Sequence, residues 1–323
     1  MPARAFIFPG QGSQFAGMGR DLAAAFAPAR EVFQEVDDAL DERLSKLMFS
    51  GPIEELTLTQ NAQPALMAVS MAVLRVLEHE GGIELRARAA VVAGHSLGEY
   101  TALAAAGSLQ IAPAARLLRL RGSAMQQAVA PGEGAMAALL GVELGQAREL
   151  CEAGAVLRRE GEPDAVEVVE VANDNGGGQV VISGAAAAVG RTIEIAKERG
   201  VKRAMLLPVS APFHCSLMQP AAEAMREALA GIELAAPRLP LIANVTAQKV
   251  TDPEAIRDLL VRQVTATVRW RESVAEMTAL GVEGFVELGA GKVLSGLCRR
   301  IAPDAEARSA GTPEEIEALL KAL

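Results

Sequence analysis

The sequence predicts an α/β fold: a mostly parallel sheet covered by helices on both faces, carrying a small inserted ferredoxin-like unit. Three observations lead there. Short apolar runs alternate with longer helical stretches across most of the chain. Between Ala135 and Leu207 the order changes to β-α-β-β-α-β within roughly seventy residues. The 323 residues, half of them hydrophobic, can bury one large core and a smaller one. The division predicted is 1–132 with 208–323 as the large unit and 133–207 as the small one.

Taken in order, Ala3 to Phe8 is a buried strand and Pro9 to Gln14 the glycine loop after it. Gly10-x-Gly12 does not complete a dinucleotide motif, because Phe15 stands where the third glycine belongs. Backbone N–H groups of such a loop can instead face an oxyanion. Asp21 to Leu47 is helical. Pro64 opens a strong helix with Leu66, Val69, Val73 and Leu77 on its apolar stripe, closed by Gly81-Gly82. His79 lies at the polar end of that helix, solvated.

Ala89 to Ala93 is a buried strand, Gly94-His95-Ser96-Leu97-Gly98 a sharp turn, and Glu99 to Ala106 a helix. That is the context of the G-x-S-x-G nucleophile elbow, whose glycines let the chain turn and expose the Ser96 hydroxyl. The alternative is a plain turn serine before a helix. In the next helix, Pro113 to about Val129, Ala114, Leu117, Leu118, Arg121, Ala124, Met125 and Ala128 share one face. Arg121 is therefore a permanent cation on an apolar stripe. It pairs with a carboxylate of the chain, snorkels to water, or holds a carboxylate of the substrate.

The small unit follows: strand Ala135–Leu140, helix Gly145–Ala153, strand Val166–Val171, a tight connection from Asn173 to Gly178, strand Gln179–Ser183, helix Ala185–Arg199 and strand Ala204–Leu207. Two prolines hold Pro208 to His214 out of regular structure. Beyond it come helix Ser216–Ala230, strand Leu239–Ala243, helices Pro253–Val264 and Arg271–Leu280, strand Gly284–Leu288, helix Lys292–Arg300 and helix Pro313–Leu320.

A serine nucleophile needs a base. Of the three histidines, His95 is part of the elbow and His79 sits at a polar helix end, so His214 is left. An Asp, a Glu or a backbone carbonyl would orient its ring. A formal charge of −9 and 3% aromatic residues argue against a nucleic-acid partner. No apolar run reaches membrane-span length and no signal peptide is evident, so a cytoplasmic location is expected. Cys151, Cys215 and Cys298 are too few and scattered for a disulfide framework or a zinc site. Cys215 is either a reactive thiol beside His214 or a small filler residue.

Five ordered motifs now stand together: Phe8-Pro9-Gly10-Gln11-Gly12-Ser13-Gln14, Gly94-His95-Ser96-Leu97-Gly98, Arg121, Ala211-Pro212-Phe213-His214, and Glu287-Leu288-Gly289-Ala290-Gly291-Lys292-Val293-Leu294. In this the chain resembles the malonyl-CoA:acyl-carrier-protein transacylases, acyltransferases of fatty-acid synthesis. The resemblance spans nearly the whole chain and implies an α/β-hydrolase-like domain with a ferredoxin-like insertion. It implies Ser96 as nucleophile, His214 as general base, and the backbone N–H groups of Gln11 and Leu97 as oxyanion hole. Arg121 would bind the malonyl carboxylate, and the Gln263 backbone carbonyl would orient the base. Phe213, Asn244 and Gln63 would line the pocket, with the Phe213 ring crowding a 2-methyl branch. Malonyl-CoA would be a substrate, acyl carrier protein the acceptor, and no cofactor resident. Lys202, Arg203, Lys292, Arg299 and Arg300 are candidates for meeting an acidic carrier, or ordinary solvated charges. A serine esterase or thioesterase would share Ser96 and His214 but transfer to water. A non-catalytic domain on the same fold is the third reading.

Overall fold

A computed structural model describes residues 3–157, 164–209 and 211–323. In chain order its strands are β1 (Ala3–Phe8), β2 (Val91–Gly94), β3 (Gly134–Leu140), β4 (Val156–Leu157), β5 (Ala165–Val166), β6 (Val169–Asp174) and β7 (Gln179–Ala185). They continue with β8 (Arg203–Leu206), β9 (Leu241–Ile242), β10 (Lys249–Val250), β11 (Val282–Leu288) and β12 (Glu306–Ala310). The large sheet has the order β10-β9-β2-β1-β11-β12. All its neighbours pair parallel except the short edge strand β10. Helices cover both faces, as buried parallel strands require: Phe6 and Phe8 enter one apolar cluster, Ala5 and Ile7 another on the opposite face.

The second sheet, β6-β7-β3-β8, is antiparallel throughout. With helices Leu144–Ala155 and Ala186–Glu198 it forms the expected ferredoxin-like unit, with its own small core around Leu139, Leu150, Ile182 and Val189. Val268 packs in the large-sheet core beside Ile7 and Ile242 and bonds to β6 of the small sheet. Its N–H donates to Ala172 O at 2.9 Å and its carbonyl accepts from Asp174 N–H at 3.0 Å. Buried Asp174 also takes Arg271 Nε at 2.8 Å. These bonds correct one expectation. Asn173 and Asp174 complete β6, and the tight connection is only Asn175 to Gly178, its three glycines at positive φ.

Other boundaries differ for physical reasons. Pro64 does not open its helix, which runs Thr59–Gly81 with the proline inside. The first turn is held from outside. Asn61 and Ala62 N–H both reach Leu58 O, and the Gly122 backbone packs so close that an added Cβ would lie 2.5 Å from Gln60 Cα. From Ala62 to Leu77 every residue but Arg75 is buried, rather than one stripe, as expected for a helix crossed on several sides. The stretch expected as one helix from Asp21 to Leu47 divides into Arg20–Ala25, Ala27–Leu40 and Leu44–Ser50. Strands β10 and β12 are among the elements that no sequence pattern announced. β12 (EARSA) alternates exposed and half-buried positions at the sheet edge, so hydrophobicity does not announce it. Ser210, in the loop before His214, lies outside the described residues.

Candidate active site

Strand β1 pairs with β2 from Ala5–Val91 to Phe8–Gly94, which ends both strands at the same level. The loop after Phe8 and the turn after Gly94 therefore lie side by side. His95 N–H donates to Phe8 O at 3.1 Å. The closeness admits only glycine: a Cβ on Gly98 would sit 2.3 Å from Phe8 O, and one on Gly94 would sit 1.9 Å from Gly98 backbone atoms. Squeezed between them, Ser96 adopts φ 53°, the left-handed region that a residue with a Cβ rarely enters. That strain projects its hydroxyl from the turn at the start of the Gly98–Ala105 helix.

Asn244, just beyond β9, locks the turn. Its Oδ1 accepts Ser96 N–H at 2.7 Å and its Nδ2 donates to Gly94 O at 2.7 Å. Ser96 N–H is thus engaged in structure. The Leu97 and Gln11 N–H groups have no partner among the described residues.

His214 also has positive φ, 59°, at the end of the two-proline loop. Its Nε2 lies 2.8 Å from Ser96 Oγ and its Nδ1 2.9 Å from the Gln263 backbone oxygen. A carbonyl only accepts, so Nδ1 carries the proton and Nε2 is free to receive one from the serine. The orienting group is a carbonyl, not a carboxylate. Burial, then the nearby Arg121 cation, pushes the imidazole down to about 3, so it is neutral near pH 7.

Arg121 is 1% exposed and does not snorkel. Its Nη1 donates to Gln63 Oε1 at 2.8 Å, and Nη2 to Gln263 Oε1 at 2.9 Å and Ser96 Oγ at 3.1 Å. The guanidinium lies 5.7 Å from the Tyr100 ring centre. Its Nε has no partner, and among the described residues no carboxylate forms an ion pair with it. Neutral acceptors hold this buried cation beside the Ser96 hydroxyl, with Tyr100 and Glu99 as its ionisable neighbours.

The site thus brings together Ser96, His214, Arg121, Gln263, Asn244, Gln63 and Leu97, with Gln11 tied by its side chain to Thr59 Oγ1 at 3.1 Å. Phe213, 7% exposed, precedes His214. His95 turns away from the serine, as expected, to Asn175 Oδ1 at 3.0 Å and the Trp270 ring. Cys215 is buried, its thiol 3.1 Å from Pro212 O, and burial raises it to about 11. It has the character of the filler residue. Glu287 lies elsewhere, accepting Leu294 and Ser295 N–H at the start of the Val293–Ile301 helix. Of the candidate surface cations, Lys292 is paired with Glu315 at 2.6 Å. Sequence reasoning missed Glu99, buried behind the site. A carboxyl in an otherwise nearly apolar eight-residue helix was the available signal.

Residues 5–310 match the family model described as acyl transferase domain. The chain belongs to the acyl transferase domain family. It is 44% identical over 319 residues to the malonyl CoA-acyl carrier protein transacylase of Bacillus subtilis, covering 99% of this chain and 96% of that one. Among solved structures it is similar to the acyl-carrier-protein S-malonyltransferase of Bartonella henselae, at 56% identity and TM-score 0.93, covering 99% of both chains. A malonyl-transacylase solved in complex with its type II PKS acyl-carrier protein superposes with TM-score 0.92 at 41% identity, over 99% of this chain and 100% of that one.

Proposed function

We propose that this acyl transferase moves a malonyl group from malonyl-CoA to the phosphopantetheine thiol of an acyl carrier protein through a malonyl-Ser96 intermediate, feeding fatty-acid chain elongation. The observation that carries this reading is Arg121, a buried cation beside the Ser96 hydroxyl with no carboxylate partner in the described chain. An acyl group bearing its own carboxylate completes the pair. A simple esterase pocket has no use for it.

The steps follow from the geometry. His214 Nε2 takes the Oγ proton as Oγ attacks the thioester carbonyl, and the resulting oxyanion accepts the Gln11 and Leu97 N–H groups. The tetrahedral intermediate collapses, the C–S bond breaks, and the imidazolium returns its proton to the leaving CoA sulfur. The carrier thiol then gives a proton to His214 and attacks the malonyl-serine. Collapse breaks the ester bond and Ser96 is reprotonated. Each step uses side chains and backbone groups of the chain itself, with malonyl-CoA as substrate.

The low basicity of His214 in the free enzyme fits this order. Arg121 is the second cause of it after burial. A malonyl carboxylate on Arg121 offsets that cation and makes the imidazole a stronger base when the correct acyl group is present. Membership of the strands in two sheets supports the division into 1–132 with 208–323 and 133–207. Among the described residues no helix is long and apolar enough to cross a membrane.

Intact mass spectrometry after incubation with malonyl-CoA tests the reading. A malonyl adduct on Ser96 that disappears on adding acyl carrier protein, with malonyl appearing on the carrier, is the expected result. Loss of the adduct to water at the same rate without carrier would make the enzyme a thioesterase instead.

A further inference from the structure

One ionisable side chain in the cluster has no part in those steps. Glu99, in the first turn of the elbow helix, is 0% exposed. Its Oε2 accepts Asn244 N–H at 3.1 Å and Gln263 Nε2 at 2.8 Å, while Oε1 has no partner. Burying a carboxyl with one oxygen unsatisfied is costly, and the two backbone and amide donors offset it only in part.

The Gln263 amide is where this carboxyl acts. A side-chain amide can sit either way round, oxygen and nitrogen exchanged. Here its nitrogen faces Glu99 Oε2, Ser96 O at 3.0 Å and Asn244 Oδ1 at 3.3 Å, and its oxygen faces Arg121 Nη2 at 2.9 Å. A guanidinium only donates, and Glu99 Oε2 accepts both when the carboxyl is ionised and when its proton sits on the unpartnered Oε1. The reversed amide would set NH2 against the guanidinium and oxygen against Glu99. We propose that Glu99 is a positioning residue for substrate selection: through the Gln263 amide it holds Arg121 Nη2 beside Ser96, where the acyl carboxylate is read. This rests on the reading of Arg121 as the carboxylate's partner.

The carboxyl's charge adds a second consequence. Burial raises Glu99 to about 7, against the hydrogen bonds from Asn244 and Gln263 and the Arg121 cation. An acyl carboxylate placed on Arg121 disfavours the ionised form of Glu99, so the enzyme takes up a proton with malonyl and not with acetyl. Around Glu99 the other ionisable groups are Arg121, Tyr100, pushed up to about 12 by burial, His214 at about 3, and His95, lowered by burial. Preference for malonyl over acetyl therefore falls as pH rises through 7.

The test is the single-turnover rate of Ser96 acylation by malonyl-CoA and by acetyl-CoA. It is run on wild type, Glu99→Met, Glu99→Gln, Gln263→Ala and the Glu99→Met/Gln263→Ala double variant. Absence of malonyl loading in wild type would defeat the reaction itself. With loading present, Glu99→Met should lower the malonyl/acetyl ratio about tenfold or more, mainly through the malonyl rate. In the Gln263→Ala background the same change should move the ratio less than about twofold. Glu99→Gln, whose carbonyl oxygen can accept both N–H donors, should restore the ratio and remove its pH dependence between 6 and 8. Equal loss of both rates in Glu99→Met, or full additivity with Gln263→Ala, would reduce Glu99 to a scaffold residue and overturn the proposal. If Glu99→Met does not fold, the Glu99→Gln pH profile decides, and a profile identical to wild type overturns it.

Discussion

Arg121 Nη2 lies 3.1 Å from Ser96 Oγ, so the cation proposed to select the acyl group touches the hydroxyl proposed to receive it. On that proposal, selection and chemistry are coupled. Arg121→Met keeps much of the buried stem and removes the charge. It should lower acylation by malonyl-CoA about a hundredfold or more, the scale of breaking a buried charge pair, and leave acetyl-CoA acylation little changed. Parallel acylation rates with the two thioesters measure this. An intact malonyl preference in the variant would contradict the clamp.

His214 should behave as a base that is already neutral. Its folded value of about 3 lies below 6.5, so acidification from pH 7 to 5 should produce no histidine limb in the acylation rate. His214→Ala should slow acylation by about 10²–10⁴. A rate that falls with an apparent pKa near 6.5 would show a base titrating normally.

Glu99 also makes a stability prediction with a definite sign. Its folded pKa, about 7, is above the unfolded 4.5, so its favourable contribution is complete below 4.5 and is lost as pH rises through 7. Relative to wild type, Glu99→Gln should gain stability between pH 5 and 8, on the order of 3 kcal/mol. Denaturant titrations at the two pH values check it, and a constant difference would count against a buried titrating carboxyl.

Gly94→Ala should unfold or strongly destabilise the enzyme, by about 4 kcal/mol or more, because the new methyl would meet Gly98 backbone rather than a movable side chain. Gly190→Ala, at a helical glycine with open space around it, is the control and should be neutral or slightly stabilising. Thermal melts of both variants suffice. A Gly94→Ala enzyme melting within a few degrees of wild type would show that the elbow can relax.

Phe213, buried and next in sequence to His214, should restrict branching at the acyl α-carbon. Methylmalonyl-CoA is expected to load at least about tenfold more slowly than malonyl-CoA, and Phe213→Ser to narrow that gap. Equal loading of wild type by both thioesters would rule out this role.

Much of the fold was legible because burial leaves periodic traces. The β1 and β2 runs, the alternating order of the small unit and the glycine punctuation of the elbow are local patterns, set by short-range sterics and by which face meets the core. Boundaries failed where distant contacts overrule local preference. The Thr59–Gly81 helix accepts Pro64 because its first turn is pinned by Leu58 and Gly122, and β12 is a strand only because β11 lies beside it. In the site, the residue types and spacing identified Ser96 and Arg121 as unusual, and counting histidines left His214.

The sequence by itself determined that a serine stands in a strand-turn-helix elbow and that a cation interrupts an apolar helix face. Both follow from covalent neighbours and helical spacing. Tertiary structure alone decided what those residues face: a backbone carbonyl behind His214, neutral amides around Arg121, and Glu99 behind Gln263. Hydrogen bonds linking positions more than a hundred residues apart obey no sequence period, so the orientation of a ring or an amide becomes readable only once the sheet has brought its partners together.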